Sequence, residues 1–326
     1  MRGCFDKSKE RNLPMRFTHT VPCFDLSQIA QSGQCFRMHP LPPEFFSGIL
    51  PSAGDRAPEP PLPDRGFSIV SRGRLLFIFQ EGQEITLLCE ESDHPFWLSY
   101  LDLDRDYQAV IRSINPKDAY LAAAARAGSG IRILAQDPWE MIITFLISQQ
   151  KTIPAIQSLV EALSRTYGKP IAFPGQTFYS FPTPEELSLA SLEDLQAMKL
   201  GYRAKYIYRI CRDALSGSLD LEALKQMAYG EAMEYLTGFY GIGKKVANCI
   251  CLFGLHQIGA FPIDTWIEKI LLEHYYDKKK YRRIPKTHLL ARIVEDSFGP
   301  YGGNAGIMQQ YIFYYERLLQ NKIRII

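Results

Sequence analysis

The sequence has almost no excess of charge of either sign: 37 Lys and Arg stand against 35 Asp and Glu in 326 residues, a formal net charge of +2. Binding to a polyanion through bulk charge is therefore excluded, and any positive field has to be local or supplied by backbone amides. Cysteine is too scattered to form a framework. The seven residues at positions 4, 23, 35, 89, 211, 249 and 251 are odd in number and widely spaced, which argues against a disulfide scaffold. Cys249 and Cys251 form the one close pair, in an apolar run without a His or Cys partner at zinc spacing, so no metal site is expected. No cysteine follows Cys251, which excludes a cysteine-ligated iron–sulfur cluster near the C-terminus. Residues 1–14 hold no apolar stretch, and no apolar run approaches a membrane span. Neither a secretory signal nor a membrane partner is expected, and a reducing, cytoplasmic setting is the expectation.

What is present is an ordinary globular composition, 46% hydrophobic and 22% charged, with 19 Phe and 18 Tyr. Runs of β-branched and aromatic residues at 67–70, 74–79 and 85–88, separated by turn residues at 71–73 and 81–82, predict consecutive strands in hairpins. Residues 40–63, rich in proline, predict an irregular excursion. From about Pro95 the texture turns helical. Asp137-Pro138-Trp139-Glu140 and Thr183-Pro184-Glu185-Glu186 each place a cap, then Pro, then an acid at the third helical position. Further helices are predicted over 202–216, 231–237, 244–255, 265–276, 288–297 and 304–320. The fold class is α+β: an N-terminal antiparallel β-sheet domain (16–115) after a flexible extension (1–15), then a helical body (116–326) with a helical hairpin at 231–255.

The most informative stretch is Gly241-Ile242-Gly243-Lys244-Lys245. Two glycines flanking an aliphatic residue allow a tight turn between helices. The amides of Gly241, Gly243 and the next helix's first turn, Val246 included, then point outward, where a helix N-terminus binds phosphate. Gly-x-Gly alone is equally a structural turn. Lys245 falls in that first turn, where the helix dipole and Lys244 both disfavour a positive charge and favour a free amine nucleophile; as a pair, the lysines also read as solvated phosphate contacts. Cys249 lies four residues on, hence on the same helix face, where packing is the commoner role for a cysteine. Asp264, in Pro262-Ile263-Asp264, is an N-cap candidate. A carboxylate beside a lysine also suits a reaction passing through a sugar cation.

With Asp264 standing 19 residues after Lys245, the hairpin and the Pro-Ile-Asp segment resemble the helix-hairpin-helix DNA glycosylases. Within that superfamily they resemble the 8-oxoguanine DNA glycosylases, in their bacterial branch. Separated segments carry the resemblance: Gln31-Ser-Gly33-Gln-Cys-Phe36-Arg, Gln136-Asp-Pro138, Leu200-Gly-Tyr202-Arg203, the hairpin, and Tyr301, Gln309 and Phe313. The resemblance implies the fold's helical body and a glycosylase with strand-cleaving lyase action on duplex DNA containing 8-oxoguanine. It casts Lys245 as the nucleophile at the sugar C1′ and Asp264 as the catalytic aspartate. Gly33 would offer the carbonyl that reads the lesion. Guanine N7 is an acceptor whereas 8-oxoguanine carries a proton there, so one fixed carbonyl attracts the second and repels the first. Gln309 would bond the Watson–Crick edge, with Phe313 and Cys249 covering the two faces of a flipped base. Gln150 would fill the vacated space, Tyr202 would be the wedge, and Arg203 would read the orphan base. No cofactor is implied, and one site per chain makes a monomer the simple expectation.

The sequence departs from the better-known animal pattern at two places. Ala155 stands on or near the position of an arginine that contacts the opposite cytosine, and Trp266, a DNA-contact candidate, replaces a histidine. A short side chain cannot make a bidentate contact, so a relaxed preference for the opposite base is expected. Lys278-Lys279-Lys280-Tyr281-Arg282-Arg283 is the densest basic run, a solvated loop by default and a supplementary DNA contact at most. An alkylated-base glycosylase would need Asp264 but not Lys245. A non-enzymatic hairpin module would need neither Asp264 nor the Gly33, Gln309 and Phe313 set.

Overall fold

The computed structural model describes residues 14–42 and 65–320. The expected extension at 1–15 and excursion at 40–63 thus lie almost wholly outside the described residues. At their edges the structure corrects both, since one strand already begins at Met15 and another runs to Pro40.

Five strands form an antiparallel sheet: β1 (Met15–Thr20), β2 (Met38–Pro40), β3 (Arg65–Ser71), β4 (Arg74–Glu81) and β5 (Glu84–Cys89), in the order β1-β5-β4-β3-β2. The helix α1 (Leu26–Gln31) lies between β1 and β2 in sequence. Arg72 and Gly73 turn β3 into β4 with φ of 50° and 73°, the paired positive φ that a two-residue hairpin turn requires. Alternate residues of β4 go to opposite faces. Leu76 and Ile78 pack with Leu26, Ile29 and Trp97, whereas Phe77 and Phe79 join Leu88, Phe173 and Phe178. Both faces being covered explains why β4 reads as an unbroken apolar run rather than an alternating one.

The helical part follows as α2 (His94–Tyr100), α3 (Tyr107–Arg112), α4 (Ala119–Ala127), α5 (Pro138–Ser148) and α6 (Ile153–Tyr167). A short hairpin, β6 (Pro170–Phe173) and β7 (Gln176–Tyr179), interrupts it. Then come α7 (Pro184–Leu187), α8 (Leu192–Ala197), α9 (Arg203–Leu215), α10 (Leu221–Gln226), α11 (Tyr229–Thr237), α12 (Lys244–Cys249), α13 (Thr265–Ile270), α14 (Lys278–Tyr281), α15 (Lys286–Phe298) and α16 (Ala305–Leu319). The β6–β7 hairpin departs from the all-helical expectation. Each strand has four residues, too few to show a period, and they are held by laying Phe173 and Phe178 on the outer face of the sheet.

The two sequence-read helix starts form as expected. Asp137 accepts from the Glu140 amide at 3.0 Å, and Thr183 and Glu186 close a reciprocal capping box. Every residue of α5 from Pro138 to Ile147 is buried, Glu140 and Thr144 included, as in a helix that forms the centre of its domain. Helices α12 and α13 each widen into a π turn, at Ile250–Gly254 and Leu271–Tyr275, so the expected lengths hold while the hydrogen-bond period changes. The core residues form a sheet cluster that includes Trp97, Tyr100, Leu101 and Leu134 and a helical cluster that includes Phe36, Tyr107 and Val110. No described helix is long and apolar enough to cross a membrane.

Candidate active site

The hairpin between α11 and α12 turns on Gly241, with φ of 93°. A β-carbon there would stand 2.5 Å from Cγ of Tyr206 on α9, so only glycine lets the turn pack on that ring. Gly243, by contrast, has nothing within 4 Å of a built β-carbon. The first backbone bond of α12 runs from the Ala247 amide to the Gly243 carbonyl at 2.9 Å, which leaves the amides of Lys244, Lys245 and Val246 ahead of it at the helix N-terminus. The Val246 side chain itself is buried, so its only route to a ligand is that amide.

Lys245 extends from this first turn toward the C-terminal end of α5. Its Nζ donates to Ser148 Oγ at 3.4 Å and lies 5.2 Å from the centre of the Phe145 ring. Ser148 in turn donates to the Phe145 carbonyl at 2.9 Å, which turns its lone pairs to the lysine. Burial pushes the Cys249 thiol up; the Lys245 ammonium pulls it down and the Asp264 carboxylate pushes it further up. All three side chains are thus near enough for their charges to be felt together. Asp264 caps α13 as expected, accepting from the amides of Trp266 at 3.0 Å and Ile267 at 2.8 Å. Both bonds fall on Oδ1, leaving Oδ2 for the site. Trp266 follows the cap and is half-buried.

Gly33 stands at the far side, with φ of 80°. A β-carbon on it would lie 3.3 Å from the Phe313 ring, 3.4 Å from Ile153 and 3.6 Å from Arg317. Gly33 and Phe313, from opposite ends of the described chain, are therefore neighbours, and side chains fill the space between them. Phe313 is less buried than its neighbours Tyr311, Ile312 and Tyr314. Gln309 is buried, and its Nε2 donates to the Pro262 carbonyl at 3.3 Å, which joins α16 to the loop that carries Asp264. Entry of a planar base would require Phe313 and Gln309 to give up these contacts.

Several positions that support the site escape a reading of the sequence. Gln34 is fully buried; it donates to Ser32 Oγ and the Arg132 carbonyl and accepts from the Leu134 amide. Gln136 donates to the Gln34 carbonyl at 2.8 Å. Together they pin the backbone beside Gly33. Arg317 donates to the Gln31 carbonyl at 2.7 Å and lies 5.4 Å from the Phe313 ring. Burial pulls Arg317 below its ordinary value, and Asp264 is among the charges that pull it back. The available signal was spacing for Arg317, four residues after Phe313 on one helix face, and position for Gln34 and Gln136, which lie within segments already singled out.

Of the remaining expected residues, Tyr202 and Gln150 lie at the surface. Tyr202 immediately precedes α9 and is 43% exposed, and Gln150 is exposed with φ of 52°. A non-glycine residue in this region costs about 1 kcal/mol. Arg203 departs from the expected exposed reader. It is buried, stacked 4.4 Å from the Tyr202 ring, and donates to the carbonyls of Gln149 and Leu200. Among the described residues no group of three His, Cys, Asp or Glu stands close enough to hold a metal ion.

Two family models match in tandem: the N-terminal domain of 8-oxoguanine DNA glycosylase over residues 16–142, and the HhH-GPD superfamily of base excision DNA repair proteins over residues 143–295. An N-glycosylase/DNA lyase of Saccharomyces cerevisiae is 36% identical over 166 residues, 47% of this chain and 44% of that protein. The chain thus spans less than half the length of the yeast relative. A probable N-glycosylase/DNA lyase of Methanothermobacter thermautotrophicus is 31% identical over 62% of this chain and 68% of its own length. The structure of an 8-oxoguanine glycosylase/lyase from Clostridium acetobutylicum, in complex with DNA containing cytosine opposite 8-oxoguanine, superposes with a TM-score of 0.78 at 28% identity, covering 95% of this chain and 99% of that one. By its two tandem matches and its fold over nearly the whole length, this chain belongs to the 8-oxoguanine DNA glycosylase family of the HhH-GPD superfamily.

Proposed function

We propose that this protein is a bifunctional DNA glycosylase and AP lyase that removes 8-oxoguanine from duplex DNA. The observation that carries the reading is Lys245 at the start of α12, with Cys249 one turn on and within electrostatic reach of both Lys245 and Asp264, and the Asp264 loop tied through Pro262 and Gln309 to the helix whose Phe313 lies against Gly33. The free amine of Lys245 attacks C1′ of the flipped nucleotide, and the base departs with the glycosidic electron pair. Asp264 stabilises the positive charge that develops on the sugar. Loss of the amine proton and ring opening give the Schiff base, and removal of a C2′ proton then expels the 3′ phosphate. The Gly33 carbonyl distinguishes the lesion by the proton it carries at N7, with Gln309 on the base edge and Phe313 and Cys249 on its faces.

The amides of the hairpin and α12, with Gly241 and Gly243 at the turn, hold a phosphate of the DNA backbone, and Tyr202, Gln150 and Trp266 contact the duplex around the extruded nucleotide. The sheet domain and the helical domain belong to the same reading, each supported by its own buried cluster. An alkylated-base enzyme has no use for Lys245, and a non-enzymatic hairpin module has none for Asp264. Borohydride trapping on a duplex with one 8-oxoguanine tests the proposal. The wild-type chain should form a covalent complex and Lys245→Gln should form none; a complex that survives Lys245→Gln, or no wild-type complex, would overturn it.

A further inference from the structure

Residues 148–151 at the end of α5 form a turn with a specific geometry. Gln149 has φ of −59° and ψ of 120°, Gln150 has φ of 52°, and the Lys151 amide donates to the Ser148 carbonyl at 3.2 Å. These are the features of a type II turn, which favours glycine or asparagine at the position Gln150 holds. Types I and II differ by a flip of the central peptide, here the one joining Gln149 to Gln150. Type I would let Gln150 keep a negative φ, the side on which a residue with a β-carbon is unstrained. The glutamine therefore needs something outside the turn to hold the flipped peptide.

That something is Arg203. Its guanidinium Nη2 donates to the Gln149 carbonyl, the oxygen of the central peptide. It is 5% exposed, braced by the Leu200 carbonyl and the Tyr202 ring. A flip of this peptide would swing its oxygen away from the guanidinium and lose the bond, so the bond favours the positive φ of Gln150. Gln149 also donates through Nε2 to the carbonyls of Leu146 and Gly241, which ties the same turn to the hairpin.

We infer that Arg203 is a positioning residue: it selects the type II turn that presents Gln150 toward the duplex, and it does not read the orphan base. The inference rests on the function proposed above. With the arginine engaged and Ala155 too short to reach, neither position supplies a cation to favour one opposite base.

The test is single-turnover excision of 8-oxoguanine opposite cytosine, adenine, guanine and thymine, on a wild-type chain first verified by borohydride trapping. Absence of wild-type trapping defeats the functional reading itself and is thereby distinguished from failure of the inference. Arg203→Met should slow excision about tenfold opposite all four bases alike. Adding Gln150→Asn should restore most of the rate, because asparagine tolerates the left-handed conformation without help. A loss confined to one opposite base, no loss, or a loss that Gln150→Asn does not relieve would overturn the inference. Should Arg203→Met fail to fold, Arg203→Lys keeps one donor and gives the same reading with a smaller loss and the same rescue.

Discussion

At Gly33 the space ahead of the backbone is taken by Phe313, Ile153 and Arg317, whereas at Gly243 nothing stands within 4 Å. The loop of Gly33 is locked from behind by the buried amides of Gln34 and Gln136. The hairpin is held from beneath by Tyr206 against Gly241, by the Gln149 side chain and by buried Ile242. In the proposed function the two sides of the site serve different ends. Telling 8-oxoguanine from guanine by one proton requires a carbonyl that cannot shift, because a movement of a few tenths of an ångström would turn repulsion into tolerance. Holding a phosphate requires exposed amides that accept any sequence. On that proposal the reading side is closed and the holding side is open.

The largest expected break falls on the holding side. Gly241→Ala drives a β-carbon into the Tyr206 ring at a φ of 93° and should destabilise the protein by about 3 kcal/mol. Gly243→Ala, in open space at a φ of −92°, should stay within about 0.5 kcal/mol. Paired denaturant melts check this, and equal losses would mean that Gly243 is packed as well.

Next in size is an effect behind the reading loop. Glu140 is buried beside Cys35 and Arg37, and burial pushes its carboxyl up to about 7, with the Arg37 charge opposing. A carboxyl raised in the folded state binds its proton more tightly there than in the unfolded chain. Its contribution to stability is full below about pH 4.5 and is lost as pH rises toward 7. Glu140→Gln should therefore gain about 2 kcal/mol at pH 8 relative to the wild type and almost nothing at pH 4.5. Melts across this range decide it, and a pH-independent difference would assign the effect to packing. The smallest is Gly33→Ala, where the left-handed φ costs about 1 kcal/mol. Excision should suffer more than stability, with 8-oxoguanine losing its advantage over guanine at least tenfold; an unchanged ratio would show that another group reads the lesion.

Much of the fold and of the site is legible in the sequence. The strands β3 to β5, both proline-marked helix starts, the hairpin and the Asp264 cap depend on neighbours within a few residues, so local pattern suffices. Lys245 and Asp264 also emerged there, although each alone had an ordinary structural explanation. Arg203 shows the limit: its position in the chain resembles that of a base reader, yet its guanidinium is spent on a turn more than fifty residues away.

The sequence by itself determined the order and kind of elements and the chemistry on offer: an amine at a helix start, a carboxylate at a cap, glycines where the backbone must bend sharply. Tertiary structure alone decided which of these meet. It placed Gly33 against Phe313, covered the outer face of β4 with β6 and β7, buried Glu140 where a helix-start acid was read, and gave Arg203 to Gln149. The reason is physical: capping and turn preferences are set by a residue's own backbone and nearest neighbours, whereas burial and the choice of a hydrogen-bond partner depend on which distant surface folds against it.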